Sequence, residues 1–132
     1  MKRVDVGIIG TGFVSSHFVR ELSRRSEYRL GKVLTRRPLS SCLNYPAPES
    51  LTNSLDDLID HCDVVFECTG DVAHAASTVG AVLAAGKPVV TLNAEFHATI
   101  GSHFVDQGLL TEAEGDQPGC LAALHEEATA MG

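Results

Sequence analysis

The chain has 132 residues, 44 % of them hydrophobic and 20 % charged, the size and balance of one globular domain able to bury a core. Its formal charge of -7 argues against nucleic acid as a bulk partner, because binding a phosphate backbone needs a basic face. No apolar run approaches the roughly 20 residues that cross a bilayer, and Met1-Lys2-Arg3-Val4-Asp5 carries no signal-peptide pattern, so no membrane partner and a cytoplasmic location are expected.

Residues 4–9, Val-Asp-Val-Gly-Ile-Ile, have the continuous apolar character of a strand covered on both faces, as in parallel sheets. They end at Gly10-Thr11-Gly12. From Phe13 to about Arg25, the residues Phe13, Val14, Phe18, Val19 and Leu22 recur at three- and four-residue spacing, which predicts an amphipathic helix. A second strand fits Arg29 to Thr35, stopped by Arg36-Arg37-Pro38. Residues 38–54 hold three prolines and predict irregular chain with a short edge strand near Ser50-Leu51-Thr52. Ser54 suits the cap of a helix over Leu55 to Asp60, and Val64-Val65-Phe66 reads as a buried strand ending at Cys68-Thr69-Gly70.

The alanine-rich stretch Asp71 to Ala85 predicts a helix closed by Gly86 and Pro88. Val89-Val90-Thr91-Leu92 predicts a strand, Ala98 to Asp106 a helix, Leu109 to Glu112 a strand, and Pro118 the start of a last helix. Strands alternating with helices of this length predict an α/β fold of the Rossmann type, a doubly wound parallel sheet in three α/β/α layers over residues 1–132.

Gly10-Thr11-Gly12-Phe13-Val14-Ser15 follows a strand and opens a helix, the context in which a glycine loop binds a dinucleotide. The first glycine permits the turn and the second lets a pyrophosphate approach the backbone, while Ser15 stands where glycine or alanine packs the helix near the strand. About 20 residues on, where an NAD site places a carboxylate on the ribose hydroxyls, the chain reads Val33-Leu34-Thr35-Arg36-Arg37. Guanidinium groups bind phosphate bidentately, so Arg36 and Arg37 point to a 2′-phosphate and to NADP over NAD. Ligands in open α/β sheets bind outside the carboxyl ends of the strands, so Cys68-Thr69-Gly70, Asn93-Ala94-Glu95 and Glu114-Gly115-Asp116 are expected to face one crevice with the glycine loop.

The remaining reactive residues point elsewhere. His17, His61, His74, His97, His103 and His125 offer no pair at helical metal spacing, and no metal site is expected. Cys42, Cys62, Cys68 and Cys120 form no C-x-x-C pair and read as reduced thiols, with Cys68 a packing residue rather than a nucleophile. Glu95 and Asp116 are the candidates for orienting a substrate, against a simple polar turn before Pro118.

Val6-Gly7-Ile8-Ile9-Gly10-Thr11-Gly12, Phe66-Glu67-Cys68-Thr69-Gly70 and Gly86-Lys87-Pro88-Val89-Val90-Thr91-Leu92-Asn93 resemble the cofactor domain of homoserine dehydrogenases over essentially the whole chain. The run Asn93-Ala94-Glu95 with Glu114-Gly115-Asp116-Gln117-Pro118-Gly119 is more similar to a side branch of homoserine dehydrogenase-like oxidoreductases, one that includes an enzyme with deoxyxylulose-phosphate reductoisomerase-like activity. The resemblance implies a nicotinamide dinucleotide as partner. It also implies a second domain, absent from these 132 residues, that supplies most substrate contacts and usually the dimer interface, which leaves a homo-oligomer open. Family members follow the strand-end asparagine with a lysine assigned to substrate or proton transfer; here Ala94 stands in its place and no catalytic residue is assigned.

The expectation is therefore an NADP- or NAD-binding domain of an oxidoreductase, positioning a nicotinamide for hydride transfer and inactive by itself. The alternatives are a nucleotide-binding sensor module without chemistry, and a crevice that takes another nucleotide or a methyl-donor cofactor.

Overall fold

Right-handed crossovers dictate the architecture of this chain, whose computed structural model describes residues 2–113 and 118–131. Among the described residues six parallel strands form one sheet: β1 (Val4–Ile9), β2 (Tyr28–Leu34), β3 (Leu51–Thr52), β4 (Val64–Glu67), β5 (Val89–Thr91) and β6 (Leu110–Glu112). Their spatial order is β3-β2-β1-β4-β5-β6, so the chain builds leftward from β1, returns across the sheet, and builds rightward. This is the Rossmann-type doubly wound order, with its switch point beside β1.

The helices are α1 (Phe13–Leu22), α2 (Leu55–Asp60), α3 (Val72–Ala84), α4 (Ala94–Ile100) and α5 (Pro118–Ala130). Alternation along each strand sends successive side chains to two separate cores. Ile9, Leu34, Val65 and Val89 pack beneath α2, α3 and α4, while Val6, Ile8 and Val33 pack with Val19 and Leu22 of α1 and with Cys42, Tyr45 and Ala47. Ile8, Ile9, Val33, Val65 and Val89 are fully buried, and each such side chain gains about 1.5–3 kcal/mol from leaving water. On the α1 face the sheet is less completely covered over its right half. There Val64, Phe66 and Val90, with Phe18 and Leu22, line an apolar trough of about 570 Å³.

Several boundaries differ from the expectations, each for a local reason. Helix α1 ends at Leu22 rather than near Arg25, because the Ser23 hydroxyl donates to the Arg20 carbonyl at 2.7 Å and closes the last turn. Its apolar face is also narrower than the spacing suggests: Phe13 is 79 % exposed, and Val14 is exposed too. The helix after β5 starts at Ala94 instead of Ala98, since the Asn93 side chain accepts the Phe96 amide at 2.9 Å and caps it directly after the strand. A 3-10 turn, Gly101–Phe104, replaces its expected second half. Segment 38–54 holds two 3-10 turns, Leu39–Ser41 and Pro48–Ser50, before the edge strand β3. No described helix is long and apolar enough to cross a membrane.

Candidate functional site

The carboxyl ends of β1, β2, β4 and β5 open on one side of the sheet, and the turn after β1 sits between them. Gly10 has φ +112°, a conformation that L side chains rarely adopt, and a Cβ there would stand 3.3 Å from the Cys68 carbonyl. Gly12 and Gly70 border open space where a side chain would otherwise project. No side chain caps α1 and no acid lies in its first turn, so its leading amides and the positive end of its dipole are free to meet an anion. This arrangement fits the pyrophosphate of a dinucleotide. Thr11 lines the depression beside the glycine loop, Phe13 and Val14 are exposed on the first turn of α1, and the Phe13 ring lies 4.3 Å from the His17 ring.

Ser15 is 1 % exposed, so the place usually taken by glycine or alanine does hold close packing. Its hydroxyl shares a 2.6 Å hydrogen bond with the Tyr45 hydroxyl, which ties α1 to segment 42–47. Burial pushes the Tyr45 hydroxyl up to about 12, against the opposing effect of Ser15, so this phenol stays protonated.

The two arginines after β2 part company. Arg37 turns toward the glycine loop, where it lines a depression of about 220 Å³ with Thr11, Ser16, Ser41, Cys42, Asn44 and Tyr45. Its backbone amide donates to Thr35 Oγ1 at 3.1 Å, and Thr35 Oγ1 lies 3.2 Å from Thr11 Oγ1, so the strand end and the glycine loop are joined. Asn53 donates to the carbonyls of Thr35 (2.7 Å) and Arg37 (3.0 Å) and fixes the same loop from β3. Arg36 points the other way and forms an exposed pair with Asp71 at 3.1 Å, between the turn after β2 and the start of α3. It lines a second depression, of about 440 Å³, with Leu34, Thr35, Pro38, Asn53, Leu55, His74, Ser77 and Thr78. The His74 amide and the Arg36 guanidinium hold the Asp71 carboxyl below its usual range. Burial and the Arg36 charge lower His74, leaving its imidazole neutral at neutral pH.

At the end of β4, Cys68 donates its thiol to the Ile9 carbonyl at 3.3 Å. Burial first, and then the Glu67 carboxylate, push that thiol up to about 12, so it carries no thiolate for nucleophilic work. Glu67 itself is completely buried and accepts from the Thr69 amide and hydroxyl and from the Thr91 hydroxyl. At the end of β5, Asn93 is 7 % exposed, Ala94 is half-buried and Glu95 is exposed. His97 Nδ1 lies 2.6 Å from Glu112 Oε2, which joins α4 to the end of β6. Asp116, with Glu114 and Gly115, lies outside the described residues. Among the described residues no three metal-binding side chains converge.

The geometry thus brings the glycine loop together with Arg37, Cys68 and Thr69, links Asn93 to Thr69 through Thr91 and Glu67, and separates Arg36 from Arg37. Sequence reasoning missed Glu67, Thr35, Tyr45, Asn44 and Asn53. Thr35 and Asn53 are separated by 18 residues, and a strand-end threonine followed by basic residues was the one local cue.

The fold recurs among known structures. A homoserine dehydrogenase from Thiobacillus denitrificans matches with TM-score 0.75 and 25 % identity, covering 84 % of this chain and 29 % of that one. GenD2 from gentamicin A biosynthesis, in complex with NAD, matches with TM-score 0.65 and 20 % identity over 86 % of this chain and 35 % of its own. A biliverdin reductase from Synechocystis sp. PCC 6803, in complex with biliverdin and NADP+, matches with TM-score 0.62 and 22 % identity over 83 % and 37 %. The chain therefore spans about a third of the length of the structures it matches. No curated protein matches it by sequence. The model of the family described as homoserine dehydrogenase, NAD binding domain, matches residues 10–107, and the chain belongs to that family.

Proposed function

We propose that residues 1–132 are the cofactor half of an NADP-preferring oxidoreductase, which holds a nicotinamide for hydride transfer to or from a small molecule presented by a further domain. Its being an NAD-binding domain follows from the family. The preference for the 2′-phosphate is carried by one observation: the depression beside the glycine loop is lined by Arg37, Thr11, Ser41 and Asn44 and by no carboxylate. A carboxylate there would accept from the ribose hydroxyls of NAD and repel a phosphate; a guanidinium among hydroxyl and amide groups does the reverse. The nicotinamide supplies the hydride chemistry when bound. The chain's own part is to seat the pyrophosphate on Gly10–Gly12 and the α1 amides, and to present Thr69, Gly70, Asn93 and Ala94 beside the nicotinamide half.

Titration calorimetry of NADPH and NADH against the wild-type chain and Arg37→Ala tests the assignment. Loss of one charge-assisted contact, about 1.5–3 kcal/mol, weakens NADPH by about tenfold to a hundredfold and leaves NADH within a few-fold. Equal loss for both cofactors contradicts it. Ala94 favours one second reading, a sensor that binds the nucleotide without turnover, since the strand-end loop brings no lysine to the crevice. Substrate turnover by the product of the complete reading frame excludes the sensor.

A further inference from the structure

The two loops that end β4 and β5 are joined by a single carboxylate. Glu67 and Thr91 are direct partners in the parallel register, and both are fully buried. Glu67 Oε2 accepts the Thr91 hydroxyl at 2.7 Å, while Oε1 accepts the Thr69 amide at 2.8 Å and the Thr69 hydroxyl at 2.5 Å. The connection continues past Glu67. Thr91 Oγ1 accepts the Asn93 amide at 3.0 Å, and Asn93 Oδ1 accepts the Phe96 amide that starts α4. One side chain therefore fixes the residues next to Gly70 on one loop and next to Ala94 on the other. A buried carboxyl group with no ion pair among the described residues is an expensive choice for a strand position that valine would fill, and its three donors come from the end of β5 and the turn after β4.

We propose that Glu67 is a positioning residue for the nicotinamide half of the cofactor: it holds the Thr69–Gly70 and Asn93–Ala94 loops as one unit at the spacing the bound dinucleotide requires. The inference rests on the reading of this crevice as an NADP or NAD site. In a doubly wound sheet the two mononucleotide halves of the fold divide the cofactor between them, with the adenine side toward β2 and the nicotinamide side toward β4 and β5. The Glu67 hydrogen bonds lie wholly in the second half, and the phosphate-facing groups Arg37, Thr11 and Ser41 lie in the first.

This division gives the test. Adenosine 2′,5′-bisphosphate presents only the adenine half, and NADPH presents both. Calorimetry compares the two ligands on the wild-type chain, on Glu67→Gln, in which an amide nitrogen replaces one accepting oxygen, and on Thr91→Val, which keeps shape and removes the hydroxyl that donates to Oε2 and accepts the Asn93 amide. Both variants are expected to weaken NADPH by about tenfold, the scale of one hydrogen bond, and to leave the bisphosphate within about twofold of wild type. Binding is read well below each variant's melting temperature, so a general loss of stability does not imitate the result. If Glu67→Gln fails to fold, Thr91→Val carries the same comparison. Equal weakening of both ligands, or no weakening of either, overturns the positioning role while the cofactor reading stands. A wild-type chain that binds neither ligand overturns the cofactor reading and this inference with it.

Discussion

The β1–β3 half of the sheet and the β4–β6 half share strand direction and differ in what organises their carboxyl ends. On the first half the organising groups are hydroxyls, amides and a guanidinium: the half-buried Thr11 and the exposed Arg37, Ser41 and Asn53, gathered around the buried Thr35 and joined through backbone carbonyls and amides. On the second half one side chain with no exposure, Glu67, does the same through two threonines. An exposed, water-competent set suits a partner that is itself highly charged, because little desolvation opposes its arrival. A buried carboxylate suits a place where geometry has to be held without offering charge to the ligand. The difference teaches that the two ends of one crevice can be built on opposite electrostatic principles.

Three changes break or sharpen this contrast. The largest effect is expected at Gly31, in the middle of β2. A Cβ there would stand 2.1 Å from the His61 carbonyl oxygen, at the end of the helix that carries the chain from the first half to the second. Because the obstacle is backbone, Gly31→Ala has to displace α2 from the sheet, and urea unfolding is expected to show a loss of about 3 kcal/mol or more. A variant within about 0.5 kcal/mol of wild type would mean that α2 yields freely and that the halves are only loosely joined.

Ser15→Ala should have a smaller and one-sided effect. It strands the buried Tyr45 hydroxyl, at a cost of about 1–2 kcal/mol, and hydrogen exchange should quicken most in segment 42–47, with a lesser change at Cys68, which also meets Ser15, and none in β5. Faster exchange across both halves would erase the distinction drawn above. The smallest effect belongs to the Arg36–Asp71 pair, which spans the halves. Asp71 is held below the usual carboxylate range in the folded chain, so its stabilisation is complete above that range and is lost as pH falls through the lowered value. Asp71→Asn should therefore flatten the fall in unfolding midpoint below about pH 4, and an unchanged acid slope would show that the His74 amide and Arg36 together contribute nothing to holding the carboxylate.

Much of this was legible in the chain. The strand, glycine turn and helix over residues 4–22 follow from an apolar run and local spacing, and Ser54 caps its helix as expected by accepting the Asp57 amide. The paired arginines were legible as residues but not as directions: they are adjacent in sequence, and the bend after β2 sends one to the glycine loop and one to Asp71. The Glu67 clamp was hidden for another reason. A glutamate ending an apolar strand looks like the step into solvent, and only the register that pairs it with Thr91, 24 residues on, shows that it is interior. Helix α4 starts four residues before the expected Ala98 because the deciding event, the Asn93 cap, is one hydrogen bond that no apolar spacing announces.

Cys68 carries a consequence of a different kind. It sits one residue from Thr69 and two from Gly70, in a crevice of the type that binds a hydride carrier, yet its thiol is held protonated and spent on the Ile9 carbonyl. Attack on electrophiles and the first step of oxidation to sulfenic acid both require thiolate. Peroxide and alkylating reagents are therefore expected to react far more slowly with Cys68 than with an exposed cysteine, so a probe cysteine introduced on the crevice rim should be labelled ahead of it.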